Sequence, residues 1–371
     1  MRAIGVILAG GNNEGRLGAL TDLRASAALP VGSCYRAIDF AMSNMANSGI
    51  QKIAVLTQYN SRSLQDHLGS AKWWDLGRKQ GGLFVLSPYI SRKDSNWFRG
   101  TADSMYQNIS YLRRSNKPYV VIASGDAVYK MDFRKVLEYH EQKSADITVV
   151  CKDMSGKDMT KYGVMQIDDE KRLQEFEEKP LQAQSSMASL GIYVIGRELL
   201  IDLLEKVTAE GRYDFVKDII IRFRKTLKIY GYEFDGYWSS VGSSVIDYFN
   251  TNMDFLNKEV RDIFVKQYPY IETKPKDEPP AKYNIGAEVK NCIIGSGSIL
   301  NSKVENSVIF RKVYVGEHSS VKNSIVMEGS RIGNNCVVEY AILDKDVVLT
   351  DGQQVIGKPD DPMILKKGTV L

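Results

Sequence analysis

Three short stretches near the C-terminus constrain this chain more than any others: Ile294-Gly295-Ser296-Gly297-Ser298, Val315-Gly316-Glu317-His318-Ser319 and Ile332-Gly333-Asn334-Asn335-Cys336. The second and third start 17 residues apart, and in each an aliphatic recurs six positions on, Val315 to Val321 and Ile332 to Val338. An aliphatic at about every sixth position, followed by small or polar residues, specifies a parallel β-helix of hexapeptide repeats. Each coil is a triangle whose corners turn on Gly, Asn or Ser and whose aliphatics stack inside. A single coil cannot bury its own faces, so neighbouring coils must cover one another. A β-sandwich does not repeat one turn chemistry at fixed spacing.

Before the repeats, Lys274-Pro275-Lys276-Asp277-Glu278-Pro279-Pro280 can hold neither a helix nor a central strand. The organisation read from the sequence is therefore a first domain over residues 1–257, a linker over 258–283 and the repeat domain over 284–371. In the first domain, short apolar runs (Ile53 to Leu56, Tyr119 to Ala123, Asp146 to Val150, Gly191 to Ile195) alternate with helical spacing, as in Phe133 to Lys143 and Glu198 to Lys206. That alternation predicts an α/β domain with a mostly parallel sheet and ligands at the carboxyl ends of its strands.

The first such run, Ile4 to Leu8, ends at Ala9-Gly10-Gly11 and continues to Gly15-Arg16-Leu17. A buried strand, a glycine turn and a basic residue wrap backbone N–H groups around phosphates. The spacing is not the G-x-G-x-x-G of a dinucleotide-binding Rossmann turn.

Net charge is only +4 over 371 residues, with acids and bases interspersed, so nucleic-acid binding has no support in composition. Cys34, Cys151, Cys292 and Cys336 are far apart with no CxxC pair, which points to reduced thiols rather than zinc. The apolar start is too short for a signal peptide, and no apolar run approaches the ~18 residues of a membrane span. The expectation is a soluble, cytoplasmic protein that engages neither membrane nor nucleic acid.

Several motifs together resemble the bacterial glucose-1-phosphate adenylyltransferase (ADP-glucose pyrophosphorylase) family over nearly the full length. They are the N-terminal stretch, Trp97-Phe98-Arg99-Gly100-Thr101-Ala102-Asp103, Ser124-Gly125-Asp126, Phe176-Glu177-Glu178-Lys179-Pro180, Ser189-Leu190-Gly191-Ile192-Tyr193, Tyr213-Asp214-Phe215-Val216-Lys217-Asp218 and Gly236-Tyr237-Trp238-Ser239-Ser240-Val241-Gly242. The resemblance implies a Rossmann-like nucleotidyltransferase domain followed by a left-handed β-helix, usually assembled as tetramers. It also implies a reaction of ATP with glucose 1-phosphate that gives ADP-glucose for glycogen and releases pyrophosphate. That chemistry requires in-line attack on the α-phosphate, with Mg²⁺ and cationic donors neutralising the developing charge. In the family two aspartates hold the metal, in keeping with the preference of Mg²⁺ for carboxylate oxygens.

This sequence departs from the pattern at chemically independent points. The phosphate loop, of which Gly10, Gly11 and Arg16 are the remnant, is one residue longer than the family's and lacks its middle glycine. Glu14 brings a negative charge to it, and Tyr89-Ile90-Ser91 stands where glutamines are usual. Ser26 replaces the phosphate lysine and Ser240 the second metal aspartate, leaving Asp126 as the retained metal-type carboxylate.

The sugar side keeps Lys179 and Glu178, with Ser189, Gly163 and Phe98 at further substrate positions. These departures resemble a second, non-catalytic subunit type. The implied protein binds no metal of its own, Mg²⁺ belonging to a catalytic partner, and regulates that partner in a hetero-oligomer. The alternatives are a competent enzyme that recruits Asp235 as its second carboxylate, and a hexapeptide acyltransferase using His318. His67 and His140 are isolated, Ser189 has no histidine partner in sequence for hydrolase chemistry, and Asp103 and Asp132 read as residues that orient loops.

Overall fold

A computed structural model describes residues 1–11, 14–77, 81–89 and 97–371. Asn12, Asn13, the Glu14 side chain, Ile90 and Ser91 lie outside the described residues. Four strands form the parallel half of the main sheet: Ala3–Leu8 pairs on one side with Lys52–Leu56, which pairs with Gly82–Leu86, and on the other with Tyr119–Ser124. These runs are apolar nearly throughout because helices cover both faces of the sheet. The other half is mixed. Met187–Gly196 runs antiparallel to Tyr119–Ser124, Ile147–Asp153 and Gly163–Ile167, while Ile229–Glu233 runs parallel to Ile147–Asp153. Two apolar clusters lie against the sheet, one including Ile7, Ile38 and Val121, the other Ile4, Val120 and Tyr193.

The C-terminal unit is a parallel β-helix of three five-stranded sheets, each strand only two or three residues long. Equivalent positions in its later coils are 17 residues apart, as in Tyr314 over Arg331 and Val348. Inside, Leu300, Val315, Ile332 and Leu349 form one aliphatic ladder, and Val304, Val321, Val338 and Val355 another. The corners adopt left-handed backbone at Asn291, Asn306, Asn323 and Tyr340. Asparagine tolerates that conformation better than most residues, which explains its recurrence there. His318 sits at such a corner, exposed, with φ +57°.

The stretch between the domains is more structured than its composition implied. Lys258–Val265 is a helix, capped by Asn257 accepting from Glu259 N–H at 2.9 Å. Its apolar face places Phe264, fully buried, in a stack on Phe255 and edge-on to Phe40. Lys282–Tyr283 already belongs to the first coil of the β-helix. Between them, the Glu272 carbonyl accepts from Trp74 Nε1 and Ser43 Oγ, so the connection runs pinned across the first domain.

One core crosses the boundary. Val308, Ile325 and Ile342 point outward from one face of the β-helix and pack into a cluster with Leu17, Leu29, Phe40, Tyr248 and Phe255. Beside it, Arg24 makes a two-pronged ion pair with Asp344, at 2.6 and 2.8 Å, with both side chains buried. Glu328 is surrounded by Arg311 at 2.7 Å, Lys345 at 3.0 Å and Lys276 at 3.9 Å. Burial would raise the Glu328 carboxyl, but these cations outweigh it and hold it far below the usual carboxylate range.

Among the described residues no helix is long and apolar enough to cross a membrane. Removing one partner of a buried pair strands a charge, at a cost of about 3–5 kcal/mol. Asp344→Ala is therefore expected to lower unfolding free energy by about that much in urea titrations, and a loss under about 1 kcal/mol would show that the pair does not hold the domains together.

Candidate functional site

The cleft forms where the parallel strands end. Ala3–Leu8 and Tyr119–Ser124 are in register, Leu8 opposite Ser124, and Gly125 N–H donates to Leu8 O at 2.9 Å. The Gly10-Gly11 turn after one strand and Asp126 after the other therefore emerge side by side. Gln58 and Tyr59, following Lys52–Leu56, form the adjacent wall. This is the crevice at the carboxyl ends of the strands that the alternating pattern predicted. Its volume is about 540 Å³. Gly10, Gly11, Arg16, Ser26, Phe98, Asp126, Gly163, Glu178, Lys179, Ser189 and Ser240 all line it, so the structure brings the phosphate-loop, metal-position and sugar-side residues of the resemblance into one cavity.

The corner built around Asp126 is closed on itself. Ser26, in the short 3₁₀ turn Ser26–Ala28, donates to Asp126 Oδ2 at 3.1 Å, and Ser124 Oγ donates to Oδ1 at 2.5 Å. Both carboxylate oxygens thus accept from hydroxyls. The strand Trp238–Ser240 runs antiparallel to Ala127–Tyr129 with Ser240 opposite Ala127, which brings Ser240 beside this carboxylate. Gly242 follows. A Cβ there would fall 2.0 Å from Asp126 Oδ2, so only glycine allows the carboxylate to sit where it does. Magnesium is bound through one or two carboxylates together with substrate phosphates and keeps several waters. Asp126, whose oxygens each keep an acceptor site beside the hydroxyl they accept from, would offer one such ligand, and Ser240 stands where the resemblance expects the second.

The opposite end has a different character. Lys179 follows the strand Leu173–Glu178 and takes a left-handed backbone, φ +53°, with its N–H donating to Tyr162 O at 3.0 Å. A lysine in that region carries strain that the surrounding structure must hold in place. Its ammonium lies 3.9 Å from the Glu178 carboxylate. Burial and the nearby Arg16 charge push the Lys179 ammonium down from its ordinary range, while burial raises the Glu178 carboxyl. Two cations sharing a cavity in this way suit a phosphate monoester.

Gly163 makes room for this end, because a Cβ there would meet the Phe176 ring at 2.7 Å and Glu178 Oε2 at 3.0 Å. Ser189 Oγ and Trp238 Nε1 are buried without a hydrogen-bond partner among the described residues, the approach of Ser189 to the Tyr193 hydroxyl falling short of hydrogen-bond geometry. Buried polar groups are nearly always satisfied, so unpaired ones lining a cavity mark places for a polar ligand.

The remaining residues divide cleanly. Asp103, fully buried, accepts from Arg99 N–H at 2.8 Å and from the Arg99 guanidinium, fixing the turn at Arg99-Gly100. Asp132 caps the helix Phe133–Gln142 through Arg134 N–H. His67 bonds Asp39 at 2.5 Å and His140 bonds Thr148 at 2.8 Å, both away from the cleft. Asp235 lines a separate depression with Asn47, Asp132 and Arg134, so it does not supply the second carboxylate. The cleft also contains Gln58, Tyr59 and Lys161, which the sequence reading did not single out. Lys161 pairs with Asp247 at 2.9 Å, and nothing around a lone lysine distinguishes it in sequence.

Comparison with known proteins agrees with this layout. The nucleotidyl transferase family model matches residues 4–258, and a GlmU-like C-terminal hexapeptide model matches 279–362. The glucose-1-phosphate adenylyltransferases of Bacillus thuringiensis (strain Al Hakam) and Bacillus anthracis are each 37% identical over 373 residues, covering 99% of this chain and 98% of the relative. That of Bacillus cytotoxicus is 37% identical over 371 residues, 98% of each chain. With two matching modules in the same order and identity sustained end to end, this chain belongs to the glucose-1-phosphate adenylyltransferase family of nucleotidyl transferases.

Proposed function

We propose that this chain is a subunit of a glucose-1-phosphate adenylyltransferase assembly that turns over little or nothing alone and modulates a catalytic partner. The observation that carries this reading is the Asp126 corner, where Ser240 stands in place of a second carboxylate and Ser26, in place of the phosphate lysine, donates to Asp126. Nucleotidyl transfer needs charge neutralisation at that point. Losing one such group costs on the order of 3 kcal/mol of transition-state stabilisation, and losses within one site need not add. The partner would supply the Mg²⁺ and the intact phosphate site, in the cytoplasm and within a tetrameric assembly serving glycogen synthesis.

The sugar end supports a second part of the reading, that the cleft still binds a sugar phosphate. Arg16 and Lys179 would meet the phosphate, and Glu178, Ser189 and Trp238 the sugar hydroxyls. Such a ligand would bias the chain between two arrangements that the catalytic partner senses through shared interfaces, which is coupling between sites in the thermodynamic sense.

Two experiments test these parts separately. Calorimetric titration with glucose 1-phosphate is expected to give saturable heats for the wild type and at least a tenfold weaker association for Lys179→Ala. Equal heats for both proteins, or none for either, would remove the ligand from the account. Adding the chain to a catalytic subunit is expected to change the rate per catalytic site or its substrate dependence. An unchanged rate together with no co-sedimentation would sink the modulator reading.

A further inference from the structure

One cation of the cleft is held from outside it. Lys161 lines the cavity together with Ser240, Gly242 and Ser243. Its ammonium donates to Asp247 Oδ2 at 2.9 Å and to Ser244 Oγ at 3.4 Å. Both partners belong to the start of the helix Val245–Asp254, which Ser244 caps. The other paired cations of the cleft find their carboxylates close by in the chain. Arg99 meets Asp103 four residues on, and Lys179 faces its neighbour Glu178. The Lys161–Asp247 pair instead ties the turn before Gly163–Ile167 to a helix 86 residues further along.

The backbone sets Lys161 between the two ends of the cavity. It closes the turn Met159–Lys161, just before the strand Gly163–Ile167, while Lys179 directly follows the strand Leu173–Glu178. Those strands are antiparallel with Gly163 opposite Glu178, and Lys179 N–H donates to Tyr162 O at 3.0 Å. The two lysines therefore leave the hairpin from adjoining chain ends. On its other side the Tyr162 ring meets Trp238 edge-on, with centroids 5.8 Å apart, and Ser240 lies two residues beyond Trp238.

The pair can also be given up at little cost. The Lys161 and Asp247 side chains are 27% and 22% exposed, and ion pairs reached by water contribute little to stability. A lysine ammonium is a point charge on a flexible four-carbon stem, free to turn to another anion while its backbone stays in place. A phosphate monoester offers that ammonium more charge than one carboxylate and three acceptor oxygens. Asp247 is not stranded by the exchange, because Ser244 Oγ still donates to it at 2.6 Å.

We infer that Lys161 is a switching cation, released from Asp247 to bind the phosphate of a sugar phosphate in the cleft. The inference rests on the reading that the cleft binds such a ligand, and it names the residue that responds. Asp247 precedes Tyr248 and Phe249, which pack in the core shared with the β-helix, and the Tyr248 hydroxyl donates to Pro30 O at 2.7 Å. Binding therefore removes one tether from the helix that meets the prism.

Calorimetric titration of the full chain with glucose 1-phosphate tests this. Lys161→Met is expected to weaken association about tenfold, as for a lost hydrogen bond between charged groups. Asp247→Asn, which keeps its shape and an acceptor for Ser244, is expected to tighten association about threefold, because the lysine loses its competing partner. In the double variant the gain is expected to vanish, leaving the affinity of Lys161→Met alone, since Asp247 acts only through the lysine. A pair that merely braced the fold would shift both single variants in the same direction. Wild-type affinity in Lys161→Met, unchanged or weaker binding in Asp247→Asn, or a gain that persists in the double variant would each overturn the inference. In those three cases the wild type still binds and the reading of the cleft stands, whereas absent heats from the wild type remove both.

Discussion

The Arg24–Asp344 ion pair is the interaction on which the rest of the architecture turns. Arg24 precedes the 3₁₀ turn that carries Ser26, and Asp344 belongs to the fourth turn of the prism, 320 residues away in sequence. Both charges are buried, so the pair is tolerable only because the guanidinium meets the carboxylate with two hydrogen bonds. Geometry that demanding holds the β-helix against the same segment that lines the phosphate side of the cleft. The apolar cluster around Phe40, Phe255, Phe264 and Val308 supplies the area, and the ion pair supplies the register. The pair thus ties the prism to the segment that carries Ser26, whose hydroxyl donates to Asp126.

The cleft has two ends of different character. At one, the Asp126 carboxylate accepts charge-assisted hydrogen bonds from Ser26 and Ser124. At the other, Lys179 and Glu178 are partly desolvated beside Arg16, and buried donors at Ser189 and Trp238 have no hydrogen-bond partner among the described residues. The two ends of the cleft are the basis of the proposal that this chain holds a sugar phosphate and leaves the transfer to a partner, a proposal that 37% identity to the relatives does not decide, because fold-level similarity does not carry activity with it.

Much of this was legible in the sequence, for identifiable reasons. The β-helix announces itself because its coils need one aliphatic and one tight corner per side, and those requirements recur in the chain as Val-Gly and Ile-Gly steps. Gly10, Gly11 and Asp126 were legible because each follows a recognisable apolar strand, and Phe98, Gly163, Glu178, Lys179 and Ser189 only through the motifs that resemble the family. The hairpin Gly163–Ile167 and Leu173–Glu178 was not. Leu173-Gln174-Glu175-Phe176-Glu177-Glu178 buries only Leu173 and Phe176 fully, at a polar sheet edge where alternation is weak. The helix Lys258–Val265 was hidden by Lys258, Glu259, Arg261 and Asp262, which surround a short apolar face of Val260, Ile263 and Phe264. The hydrogen bond from Ser26 to Asp126 was out of reach as well, since the two are 100 residues apart and meet only in the fold. Ser26 and Ser240 could be read as losses, but not as the new partners and neighbours of the remaining carboxylate.

The measurement that bears most directly on this account is pyrophosphate release by the isolated chain supplied with ATP, glucose 1-phosphate and Mg²⁺. Asp126 without a carboxylate at position 240 or a cation at position 26 predicts absent or trace turnover. Turnover at ordinary enzyme rates, around 1–10³ s⁻¹, would contradict it and would show that serines at these two positions suffice.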